Sequence, residues 1–174
     1  VKILQSNQAT RKKLSQRLIS ISDRIIFDLK KFEQDRYLKE SYSALFNSSK
    51  YFDEIVFDKI LRLRTYIDIV KLEDELLSEI ITIAVLAGLI PVSFLKKAGD
   101  VRFKTKKELI KDKIDLSDFL PNKLLEMAED ITNMNFKLNT APELILSNSK
   151  NIDLANDLEI DGVITSPPYL NGTN

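Results

Sequence analysis

The sequence predicts a mostly α chain, long helices first and two short β-strands near the C-terminal end. Three observations carry this. Apolar residues recur at steps of three and four through most of the first 134 positions. Glycine and proline, which interrupt helices, are scarce, with four and five in 174 residues. After Met134 the periodicity gives way to short apolar runs closed by Ser, Asn and Pro.

From about Thr10 to Phe46 there is neither proline nor glycine. Leu14, Leu18, Ile21, Ile25, Leu29 and Phe32 recur at helical steps among charged residues. One long amphipathic helix is expected there, with Leu38, Tyr42 and Leu45 extending the stripe. The Asn47–Lys50 cluster breaks it. A second helical block follows from Tyr51, with Phe52, Ile55, Val56, Ile60, Leu63, Ile67 and Val70 in phase. A third runs from Glu75 to Ile90, and Pro91 ends it or opens the next turn. That segment is apolar on nearly all sides, which places it at the centre of a helical layer.

Its longest apolar run, from Ile80, is about 13 residues, short for a bilayer span. A basic loop around Gly99 comes next, "KKAGDVRFKTKKELIKDK". "SDFLPNKLLEMAEDITNM" then reads as an N-cap and a helix, with Pro121 in its first turn, where a missing N–H is harmless. The strand-sized runs are "ELIL" (143–146) and "GVIT" (162–165). Two strands do not make a stable sheet alone, so they need partners.

Composition removes several chemistries. The formal net charge is zero, so no global field draws the chain to nucleic acid or an anionic membrane. Any such contact must come from a local patch. There is no cysteine and no histidine. This excludes disulfides, thiolate nucleophiles, Ser-His-Asp catalysis and most transition-metal sites within these residues. The four glycines stand too far apart for a phosphate-cradling loop. The N-terminus lacks the basic-then-apolar order of a signal peptide and an initiator methionine, and the chain ends in loop-like residues. A piece of a longer chain is the expectation.

The end of the last run carries the chemistry. "DGVITSPPYLNG" takes a short apolar strand into Ser166-Pro167-Pro168-Tyr169. These four residues resemble the catalytic motif of the amino-group DNA methyltransferases: Asp, Asn or Ser, then Pro-Pro, then an aromatic, at the end of the fourth strand of a Rossmann-like sheet. "IDGVIT" is similar to that family's strand, and "LILSNSKNI" to the strand and turn near the cofactor's adenine. The likeness covers roughly Glu143 to Asn174.

The resemblance implies an S-adenosylmethionine-dependent transfer of methyl to the exocyclic amine of a flipped base. On that basis the two C-terminal strands belong to an incomplete Rossmann-like methyltransferase core (135–174), and residues 1–134 form a helical insertion. The Ser166 hydroxyl and the Pro167 carbonyl would accept hydrogen bonds from the amine, aiming its lone pair at the methyl sulfonium. Pro167 and Pro168 hold that carbonyl with fixed φ. Tyr169 would stack on the base, worth about 1–3 kcal/mol. Serine at the first position favours cytosine N4 over adenine N6. Amine methylation needs no cysteine nucleophile, in keeping with the composition.

Asn148 and Ser149 occupy the turn that the resemblance assigns to the cofactor. The family's Phe-x-Gly-x-Gly loop is absent, so the chain alone is expected to be inactive. The implied partners are double-stranded DNA, S-adenosylmethionine, and the rest of the methyltransferase or a restriction subunit. The implied setting is cytoplasmic, in bacterial restriction–modification. Within the basic loop, Lys104, Lys106 and Lys107 are candidate phosphate contacts. A solvated loop balanced by Asp100 and Glu108 is the other reading. Two readings of the whole chain stay open beside the enzyme. One is a helical interaction module without chemistry, the other a methyltransferase acting on RNA or protein.

Overall fold

A computed structural model of the chain describes residues 3, 6–46, 50–135, 162 and 164. The chain divides into two compact units, 1–141 and 142–174. All the described helices and strands lie in the first, which is mostly helical. The expected strands at 143–146 and 162–165 lie outside the described residues, except for Gly162 and Ile164.

Helix α1, Gln8–Ser22, starts where the Asn7 side chain accepts from the Thr10 N–H at 2.8 Å. Its buried Leu14, Leu18 and Ile21 keep the expected spacing. The single helix expected from Thr10 to Phe46 is not continuous. It is broken into α1, the short α2 (Ile25–Asp28), a 3₁₀ turn (Leu29–Lys31) and α3 (Arg36–Phe46).

The break at Phe32 has a tertiary cause. Phe32 is extended, at φ −105° and ψ 142°. The Arg62 guanidinium donates to the Phe32 carbonyl at 2.6 Å, and the Phe32 ring meets Tyr66 edge-on at 5.2 Å. The Asp35 carboxylate then accepts from the Leu38 N–H at 2.8 Å and starts α3 afresh.

Helix α4 spans Glu54–Glu73 and α5 spans Glu75–Val92. One residue links them. The Asp74 N–H donates to the Val70 carbonyl at 2.8 Å and closes α4. Its carboxylate accepts from the Leu77 N–H at 3.0 Å, opens α5 and also pairs with Arg17. The two helices pack against each other. Pro91 lies in the last turn of α5, which runs one residue past it.

By length and composition alone α5 would be long and apolar enough to cross a membrane. In the fold, Leu77, Ile80, Ile81, Ala84 and Val85 are buried in the core. The helix is not enclosed on every side. Ile83, Leu86 and Ile90, at steps of three and four, are 56%, 59% and 39% exposed.

Strands β1 (Leu95–Ala98) and β2 (Asp100–Phe103) pair antiparallel where a basic loop was expected, and form the sheet of the described residues. Helix α6 (Lys106–Lys111) and helix α7 (Leu116–Asn133) follow. The cap of α7 is Asp115 and not Ser117, because its carboxylate accepts from the Ser117 N–H at 2.8 Å. Pro121 consequently falls just past the first turn.

Leu116, Leu120, Leu124, Ala128 and Ile131 of α7 are buried, and α7 packs on both α1 and α5. Leu18, Leu120 and Leu124 are fully shielded from solvent. Burying a side chain of that size is worth about 1.5–3 kcal/mol. Gly88 of α5 faces the Phe119 ring, so the missing Cβ lets α5 and α7 approach.

Candidate functional site

The charged region between Leu95 and Lys113 holds eight basic and three acidic residues in a chain of zero net charge. Its shape begins with Gly99, whose φ of +78° lets the chain reverse in one residue between Ala98 and Asp100. The register then sets Lys96 directly opposite Arg102. Two like charges at that position repel. The repulsion is relieved by α6, which brings two carboxylates onto the hairpin.

Arg102 Nη1 and Nη2 donate to Glu108 Oε2 and Oε1, both at 2.9 Å. Lys96 Nζ lies 3.2 Å from Glu108 Oε1 and 2.8 Å from Asp112 Oδ2. Glu108 also completes a capping box. Its carboxylate accepts from the Thr105 N–H at 2.9 Å, and its own N–H donates to Thr105 Oγ1 at 3.4 Å.

The Arg102 guanidinium, the Thr105 N–H and Lys96 together hold the Glu108 carboxyl far below the usual carboxylate range. Lys96 likewise lowers Asp112 and is itself raised, first by Asp112 and then by Glu108. The ordinary effect of opposite charge and hydrogen bonding on the ionised form accounts for all three shifts.

Lys104 is half-buried and turned back onto the protein. Its Nζ donates to the Pro91 and Ser93 carbonyls at 2.9 and 2.8 Å, at the C-terminal end of α5. A cation there meets the negative end of the helix dipole. Beside it lies a cavity of about 330 Å³ lined by Lys59, Lys104, Lys113, Asp53 and Asp115 among apolar residues. Lys59 is held at its rim by Asp115 Oδ1 (3.2 Å) and Ser117 Oγ (2.5 Å).

The hairpin is anchored on its other side by aromatic rings. Phe103 stacks on Tyr51, with centroids 5.6 Å apart and an interplanar angle of 7°. Tyr51 meets Phe46 at 5.1 Å, and the Tyr51 N–H donates to Tyr42 Oη at 3.1 Å. An apolar groove opens over Tyr42, Phe46, Phe103, Val101 and Ile90.

Of the candidate phosphate contacts, Lys104 is thus occupied by carbonyls, while Lys106 and Lys107 are exposed on α6. Lys111 and Lys113 are exposed as well and were not singled out in the sequence. Lys107 and Lys111 are four residues apart on a helix, which is the signal that would have found Lys111. Ser166, Pro167, Pro168 and Tyr169 lie outside the described residues, as do Asn148 and Ser149. Among the described residues no group of three or more Asp and Glu side chains is placed to hold a metal ion. No protein-family model, curated protein or solved structure matches the chain.

Proposed function

We propose that this chain carries the catalytic tip and a helical unit of an S-adenosylmethionine-dependent methyltransferase acting on an exocyclic amine of a flipped DNA base. The single observation behind the reading is Ser166-Pro167-Pro168-Tyr169, set after a strand-sized apolar run. A conjugated amine is a poor nucleophile. Two fixed acceptors, the Ser166 hydroxyl and the Pro167 carbonyl, would turn its lone pair toward the donor without a covalent step. Tyr169 offers a flat face to a base that has left the stack. The serine favours cytosine N4 over adenine N6. These 174 residues hold no glycine-rich donor loop, so S-adenosylmethionine needs residues supplied from elsewhere. Restriction–modification in the cytoplasm is the setting such an activity fits.

The outward face of α5, with Ile83, Leu86 and Ile90 exposed, favours a second reading: a helical interaction module without chemistry.

One experiment separates them. The chain, assembled with the polypeptide that supplies the donor loop, is incubated with unmethylated DNA and isotope-labelled S-adenosylmethionine, and the nucleosides are identified by mass spectrometry. Label in N4-methylcytosine is the expected result. Label in N6-methyladenine keeps the enzyme and discards the serine argument. An assembly that binds the donor and labels no DNA overturns the reading.

A further inference from the structure

We infer that the outward face of α6 is a phosphate-contacting surface for double-stranded DNA, built from Lys106, Lys107 and Lys111. This deepens the function proposed above, and rests on that reading for the choice of DNA as the polyanion.

The argument starts from how α6 distributes its charges. A helix turns about 100° per residue, so Glu108 and Asp112, four apart, share one side. That side is committed inward, where the two carboxylates grip Lys96 and Arg102 of the hairpin. Leu109 is half-buried on the same flank. Opposite it stand Lys106 and Ile110, with Lys107 and Lys111 on the adjoining flank; all three lysines are exposed, and Ile110 is 83% exposed.

An ordinary solvated helix interleaves both signs and neutralises its lysines at i+3 or i+4. Here no acid stands three or four residues from Lys106 or Lys107, and the two at those distances from Lys111 are engaged elsewhere, Glu108 with Arg102 and Asp115 with Lys59. Lys106, Lys107 and Lys111 make no ion pair with a described residue. The outcome is a local positive face on a molecule without net charge.

Such a face matches a regular array of phosphates, whose condensed counterions are released when lysines replace them. It is tied to the rest of the fold by named contacts. The Arg102–Glu108 pair, the capping box and the Phe103–Tyr51 stack fix α6 to the hairpin and the hairpin to the helical unit. A lipid surface is the poorer fit. An interfacial helix needs an apolar face along its length, and α6 offers one outward apolar residue on six.

The test uses the 174-residue chain and a fluorescein-labelled 30-base-pair duplex of random sequence, titrated by anisotropy at several salt concentrations. The K106Q/K107Q/K111Q variant is compared with K12Q/K13Q, which removes two exposed lysines from α1. Circular dichroism establishes that both variants fold. The expected result is a loss of about tenfold or more in affinity for the α6 variant, and a salt slope shallower by about two to three. K12Q/K13Q should stay near the wild type.

Equal affinity and slope for wild type and the α6 variant overturn the proposal, as does a wild type that does not bind the duplex. Lysine-dependent binding to phosphatidylserine vesicles without binding to the duplex overturns it in favour of a membrane. None of these readouts uses the methyl donor. Loss of this surface is therefore distinguishable from failure of the methyltransferase reading, which the labelling experiment decides alone.

Discussion

Arg102 and Glu108 face each other across two parallel hydrogen bonds of 2.9 Å, and this pair joins the hairpin to α6. The carboxylate has further donors in the Thr105 N–H and in Lys96, so its pKa is depressed well below the carboxylate range. The sign of the pH dependence follows. A depressed folded pKa contributes stability that is fully present above the unfolded value, about 4.3 for glutamate, and is lost as pH falls through the folded value. In a ¹³C NMR titration the Glu108 carboxyl should show no step near pH 4.3, where a free glutamate titrates. R102A should move its titration up toward that value. A wild-type Glu108 that titrates like a free glutamate would remove the clamp from this account.

Gly88 and Phe119 set the approach of α5 to α7. A Cβ on Gly88 would stand 2.9 Å from two ring carbons of Phe119. Two effects compete in G88A. Alanine is favoured over glycine in a helix by about 1 kcal/mol. Overpacking costs about 1–3 kcal/mol, and Phe119 packs against the core cluster, which limits its retreat. The clash should win, lowering the urea midpoint of G88A. F119L in the G88A background should recover part of the loss. A G88A midpoint above wild type would mean that the ring swings aside freely.

The helical stripes were legible because burial repeats with the helix period. Leu14, Leu18, Ile21, Ile25 and Leu29 are buried as their spacing predicts. What was hidden depends on partners distant in sequence. Phe32 fits the same stripe, yet Arg62 captures its carbonyl and Tyr66 its ring, so the helix ends there. Asp35 did leave a local trace, a capping carboxylate three residues before the amide it binds.

The hairpin left almost none. Lys and Ala are weak strand formers, and the pairing draws on Glu108, Asp112 and Tyr51, which lie outside both strands. The candidate site divides in the same way. Lys106 and Lys107 were visible as basic residues, but the commitment of Lys104 to two backbone carbonyls depends on where α5 ends.

Gly99 tests the hairpin directly. Its φ is +78°, and a Cβ there would meet nothing within 4 Å. Space is therefore not limiting, and only backbone strain opposes a side chain. G99A should cost about 1–2 kcal/mol, and G99N less, because asparagine tolerates the left-handed region. The loss should be local. Hydrogen exchange of the β1 and β2 amides should accelerate in G99A, while amides in α1 and α7 stay near their wild-type rates. Acceleration in α7 of the same size would show that the hairpin and the bundle open as one unit.

Tyr169 tests the proposed chemistry at the residue that would hold the base. If its ring works by stacking, the hydroxyl is dispensable. Y169F should then keep kcat/KM within about twofold of wild type, while Y169A should lose the stacking of one base, about 1–3 kcal/mol, or roughly 5- to 150-fold. The measurement is methyl transfer to duplex DNA by the complete assembly. A second substrate sharpens it. Replacing the partner of the target base with an abasic site lowers the cost of leaving the stack by a few kcal/mol, so it should rescue much of the Y169A defect. Equal losses for Y169F and Y169A would place the function in the hydroxyl. A Y169A defect that the abasic duplex leaves untouched would assign the ring to packing on Pro168 rather than to the flipped base.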